Sequence, residues 1–190
     1  MSIEFFPYPF WVGVSLLLLI LIIVAVKTRS SGRVILSAIF GFYLLILLGL
    51  TLFPIPSTAG HIGLPTRPLL KAVQERINLV PFSYGVLVDR NGLLLTYHIL
   101  GNIAAAMPFG FGVLFVAPKL EKRILWLAIG LGSCIELLQL GFMIAFGYAY
   151  RSVDINDVMW NAVGVFVGYG IFKLTQWIFS KRRFSTNTAS

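Results

Sequence analysis

Three of the seven acidic residues in this 190-residue sequence, Glu136, Asp154 and Asp157, stand inside or against long apolar stretches, with Arg151 just ahead of the last two. Carboxylates grouped in this way could hold one hard divalent cation or divide general acid and base roles, while an arginine grips a phosphate. The sequence has no HExxH, nucleophile elbow or phosphate-cradling glycine loop beside them, so they assign no metal site and no cofactor. A second set of groups can only hydrogen-bond or titrate weakly. His98 and Asn102 are four apart, Gln139 follows Glu136 by three, Asn161 follows Asp157 by four, and Asn78 sits alone ahead of a proline. Together with Arg151 these residues could line a cleft for a polar or anionic headgroup, the guanidinium holding it by paired hydrogen bonds.

Each residue also has a plainer reading. Asp154 suits the N-cap of a helix and Asp157 its first turn, where the dipole favours negative charge. Arg151 can clamp either carboxylate. Asn102 and Asn161 can join helices by hydrogen bonds, and Gly164-xxx-Gly168 reads as a close-packing face. Glu136 is different: a lone carboxyl in hydrocarbon has no capping use, so either it is held neutral or a cation meets it.

The elements that must position these groups follow from composition. Hydrophobic residues make up 58% of the chain and charged residues 12%, against roughly 45–50% and about 25% in soluble domains. A soluble globule could not hide that much apolar surface, and a disordered chain needs the opposite balance. The apolar residues fall in long runs: Phe10 to Val26 is 17 residues without a charge, and Val34 to Phe53 is 20, the length a helix needs to cross a hydrocarbon core. The pattern predicts a single all-α domain over 1–190, a polytopic bundle of five membrane helices at about 10–26, 34–53, 93–115, 124–146 and 156–178, with a basic tail at 181–190. In the long connection before the third span, Ser57 to Pro65, with His61, is turn-like. Leu69, Leu70, Val73 and Ile77 then repeat at helical spacing after Pro68, which predicts a short amphipathic helix lying on the membrane surface. Pro81 breaks the backbone just after Asn78.

Lys27, Arg29, Arg33, Lys119, Lys122, Arg123, Lys181, Arg182 and Arg183 flank one side of the spans; Arg67, Lys71, Arg76, Arg90 and Arg151 flank the other. This bias predicts an amino terminus outside and a carboxyl terminus in the cytoplasm. It also gives the net charge of +8 an ordinary cause, with no nucleic acid as partner. Glu4 is the only charge before the first span, which therefore reads as uncleaved. Cys134 is the single cysteine, so no internal disulfide is possible.

At 100° per residue, Asp154, Asp157, Asn161, Gly164 and Gly168 fall within an arc of about 80°. Counting about 1.5 Å per residue from each helix middle puts Glu136 and Asn102 near the bilayer centre. His98, Gln139 and Asn161 lie further out, and Asp157, Asp154 and Arg151 at the outer interface. Three polar faces in one half of the membrane predict a cleft open to the outside, floored where Pro108 interrupts the third span.

Four motifs in this order carry a resemblance: Asn78-Leu79-Val80-Pro81-Phe82, Gly101-Asn102 with Pro108-Phe109-Gly110-Phe111, Ile135-Glu136-Leu137-Leu138-Gln139, and Arg151-Ser152-Val153-Asp154-Ile155-Asn156-Asp157 running on to Asn161, Gly164 and Gly168-Tyr169. Over about 35–179 the chain resembles the VanZ-like family of small polytopic bacterial membrane proteins. The family's namesake is associated with low-level resistance to teicoplanin, a lipid-tailed glycopeptide. The resemblance implies a bacterial plasma-membrane protein without supplying a settled activity. Ala104, Ala105 and Ala106 stand where the family usually has bulky apolar residues, a departure that predicts a wider cleft.

Three functions remain in view: binding or processing an amphiphilic cell-envelope lipid or lipoglycopeptide, metal-assisted hydrolysis or transfer on a lipid-linked phosphate, and proton-coupled transport through Glu136. Membrane lipids and an amphiphilic ligand are the expected partners; the oligomeric state is left open.

Overall fold

The computed structural model describes residues 2–3, 8–56, 67–84 and 93–187. Glu4, the turn-like 57–65 stretch with His61, and Arg90 lie outside the described residues. Among the described residues six α-helices appear in the order α1 Tyr8–Thr28, α2 Ser31–Leu52, α3 Arg67–Gln74, α4 Leu93–Val116, α5 Ile124–Ala145 and α6 Ile155–Asn187, with a 3₁₀ segment, Pro118–Arg123, leading into α5. All but α3 are long and apolar enough to cross a membrane. Large side chains such as Leu16, Ile23, Leu50 and Trp126 face outward, as hydrocarbon surroundings allow. The chain is a multi-pass membrane protein.

Helix ends fall where local chemistry dictates. Gly147 adopts φ 67°, and the amides of Gly147 and Tyr148 return to the carbonyls of Ile144 and Met143, closing α5 with the glycine-dependent turn that helix C-termini favour. Asp154 caps α6, its Oδ1 accepting from the Asn156 amide at 2.8 Å. Two short pairs of strands tie the connections together. β1 Ser2–Ile3 runs antiparallel to β2 Ile55–Pro56, and β3 Ile77–Asn78 pairs in parallel with β4 Val153–Asp154.

The bundle is built around α6, which runs parallel to α4 and antiparallel to α5. Side chains added at Gly164 and Gly168 would collide with the α4 backbone at Ile103 and Met107, and one at Gly110 with the α6 backbone at Val165. These glycines permit the close approach that substitutes for a hydrophobic driving force between membrane helices. Ala106, Ala128 and Val165 form the core at this crossing, with Val113, Leu114 and Phe172 one layer further along. Helix α1 rests chiefly on α2, through Gly13 against Leu45 and Gly41 against Leu17.

Two expectations change here. The amphipathic helix α3 is shorter than its apolar pattern suggests, and Ile77 pairs in β3 instead of extending it. Its buried Leu69 and Val73 pack on Met143 of α5, so much of its apolar face is covered by protein. The three alanines do not widen a cleft. Ala104 is exposed, the Ala105 carbonyl accepts the Tyr43 hydroxyl at 2.7 Å, and Ala106 is fully buried against the position of Gly164.

Candidate functional site

The polar residues meet at the end of the bundle where α2 and α5 finish and α4 and α6 begin. Their arrangement starts from an unusual connection. Glu136 lies nine residues before the end of α5, about 13 Å along a helix, yet its Oε2 accepts the backbone amide of Asp154 at 2.8 Å. The chain between Ala145 and Ile155 therefore folds back alongside α5, and α6 starts level with Glu136. This overturns the depth expected for Asp154, which lies level with the Glu136 carboxylate instead of above it.

Non-helical backbone at such depth must find partners inside the protein, and the polar side chains supply them. The amide of Val153 reaches the Arg76 carbonyl at 2.9 Å. Asp154 Oδ1 accepts from Asn78 Nδ2 at 3.0 Å and Asn156 Nδ2 at 2.8 Å. Asn78 closes its own turn, accepting from the Val80 amide at 3.1 Å and donating to the Ser83 carbonyl at 2.7 Å. Asn156, fully buried, donates to the same carbonyl at 2.9 Å and accepts from the Phe82 amide at 2.6 Å. Phe82 is held at φ 61°, a left-handed conformation that bulky residues adopt only under such constraint. Leu79, Val80 and Phe82 point outward from this knot.

A second cluster joins α4 to α6. Asp157 Oδ1 lies 2.5 Å from His98 Nε2 and accepts from Asn102 Nδ2 at 3.0 Å. The side chains of His98 and Asp157 are 30% and 13% exposed, whereas Glu136 is 4% exposed. The imidazole is thus the accessible member. Asn161 turns its amide back to the Asp157 carbonyl at 2.8 Å and is buried, so it steadies α6 and does not present a polar surface. Close packing of Ala106 and Gly110 on α6 seals the bundle beyond Asn102. Helix α4 continues through Pro108 there.

The third group caps α2. Its final carbonyls have no partner within the helix; Gln139 Nε2 donates to Thr51 O at 3.0 Å, the Tyr150 hydroxyl to Leu52 O at 3.1 Å, and Arg151 Nη2 to Phe53 O at 2.8 Å. A guanidinium at this terminus also meets the negative end of the helix dipole. The expected clamp between Arg151 and Asp154 or Asp157 does not form: among the described residues the ion pairs are His98–Asp157 and Lys173–Glu121. Arg151 Nε is buried and has no hydrogen-bond partner among the described residues.

Sequence reasoning missed Asn156 and the capping roles of Gln139 and Arg151. An amide immediately inside a helix start was the available signal for Asn156. The three acidic residues also divide differently from the expected set: Glu136 and Asp154 belong to the backbone knot, Asp157 to the imidazole cluster. Among the described residues no three His, Cys, Asp or Glu side chains converge to hold a metal ion.

The family described as VanZ/LLP1 has a sequence model that matches residues 40–180. No curated protein and no solved structure matches the chain.

Proposed function

The chain belongs to the VanZ/LLP1 family, and from that premise we propose that it binds, at the Arg151 end of its bundle, the headgroup of an amphiphile drawn from the surrounding leaflet. The observation that carries this reading is the buried Nε of Arg151, which has no acceptor among the described residues. A buried guanidinium donor without an acceptor costs about 1–3 kcal/mol, a cost relieved by a phosphate, carboxylate or other anionic oxygen. The half-exposed His98, steadied by Asp157 and Asn102, offers a second polar contact at the same end. The excess of Lys and Arg at the opposite end supports an orientation in which this site faces the outside of a bacterial plasma membrane, with the carboxyl terminus in the cytoplasm. Lipid-linked cell-envelope groups and lipid-tailed glycopeptides such as teicoplanin are amphiphiles of the required kind.

Lipids copurifying with wild-type protein and with Arg151→Gln test the reading by mass spectrometry. A charge-assisted hydrogen bond contributes about 1.5–3 kcal/mol, so the variant should lose an anionic amphiphile by about tenfold or more at unchanged abundance. Identical lipid profiles would refute it. The contact of His98 with Asp157 favours a second reading, in which the imidazole takes a proton from a water that attacks a lipid-linked phosphate and returns it to the leaving oxygen as the P–O bond breaks. Product formation from such a precursor, abolished by His98→Ala, would select it.

A further inference from the structure

The opposite end of the bundle has different chemistry. Because α1 rests chiefly on α2, a cavity of about 660 Å³ remains between the final turn of α1, the first turns of α2 and the exit of α4. Val24, Phe115 and Val116 give it apolar walls, Ser37 a hydroxyl, and Arg33 and Lys119 two cations. Its volume falls within the ~300–1,000 Å³ of sites that take small amphiphilic ligands. Among the described residues neither cation has an ion-pair partner. The acidic residue nearest in sequence, Glu121, already accepts from Lys173 at 2.8 Å and from the Tyr169 hydroxyl at 3.1 Å. Lys27, Arg29, Lys122 and Arg123 lie in the same flanking segments and add to the positive potential. A gap walled by hydrocarbon side chains and carrying two unpaired cations matches a molecule with an anionic head and an apolar body.

We propose that this cavity holds an anionic phospholipid, its phosphate bound by Arg33 and Lys119 and the upper part of its acyl chains against Val24, Phe115 and Val116. Basic pockets between membrane helices are a recurrent form of lipid site. The occupant bridges α1–α2 to α4, so it fastens the membrane helix that, among the described residues, protein contacts hold least.

Native mass spectrometry of the full-length protein, after exchange into phosphatidylglycerol or phosphatidylcholine of matched acyl chains, reads the site directly. Wild type should retain phosphatidylglycerol preferentially. Arg33→Gln with Lys119→Gln should weaken retention on the order of 25-fold, about fivefold for each cation, while the control pair Lys27→Gln with Lys122→Gln changes it little. Ser37→Phe, which pushes a ring into the cavity from its wall and leaves every charge in place, should also lower lipid retention, and it keeps the test decisive if the double variant inserts poorly. Equal retention of the two lipids would overturn the proposal, as would equal loss in the control pair, undiminished retention in Ser37→Phe, or displacement by millimolar inorganic phosphate alone.

Discussion

Asn156→Ala should release the 78–83 turn while leaving the membrane helices intact. The side chain makes three hydrogen bonds: from the Phe82 amide at 2.6 Å, to the Ser83 carbonyl at 2.9 Å and to Asp154 Oδ1 at 2.8 Å. Two of these acceptors keep other donors, since Asn78 Nδ2 still reaches Ser83 O and Asp154 Oδ1. The Phe82 amide loses its acceptor, at about 1–3 kcal/mol for an orphaned donor, and the two shared bonds add about 0.6 kcal/mol each by the average found within membranes. The sum, about 3 kcal/mol, corresponds to about 150-fold more frequent local opening. Hydrogen exchange in lipid nanodiscs, read on peptides spanning 78–84, should show protection falling by about two orders of magnitude, with the α4–α6 crossing unchanged. A change below threefold at 78–84, or equal loss throughout α4 and α6, would refute the assignment of Asn156 as the pin of this turn.

Other variants separate positioning from packing. Glu136→Gln retains an oxygen for the Asp154 amide and should unfold thermally close to wild type, whereas Glu136→Leu orphans that buried amide and should lose about 1–3 kcal/mol; indistinguishable melting of the two would contradict the role given to Glu136. Gly164→Leu should eliminate the monodisperse folded protein on size exclusion, because its side chain meets the Ile103 backbone, while Gly170→Leu, which meets none of the described residues within 4 Å, should be tolerated. Burial pushes the Tyr150 hydroxyl above its ordinary pKa, so the folded state keeps that proton longer than the unfolded one. The associated stability is complete below the unfolded value of about 10 and is lost as pH rises through the folded value. Tyr150→Phe should therefore show a shallower decline in stability above pH 10 than wild type.

The spans were legible because membrane helices announce themselves by length and absence of charge; α2 and α4 begin or end within three residues of the uncharged runs that predicted them. Asp154 as N-cap and the packing role of Gly164 and Gly168 were likewise readable, since both depend on local residue type. The fold-back before α6 was not readable. Its cause is the long-range pairing of Asp154 with Glu136 and of β3 with β4, and no periodicity encodes a partner 18 or 76 residues away. The same limit explains Arg151. Sequence placed a cation near two carboxylates, but the carbonyls left over at the end of α2 attracted it instead. For α3, apolar spacing marked a face to be covered without distinguishing lipid from Met143.

Photocrosslinking in living cells tests the proposed site most directly, with p-benzoylphenylalanine replacing Phe82, which is 65% exposed beside the polar knot. The expected result is an adduct with an anionic, lipid-linked envelope amphiphile that disappears when Arg151→Gln is added. Adducts confined to bulk phospholipid, and indifferent to Arg151, would contradict it.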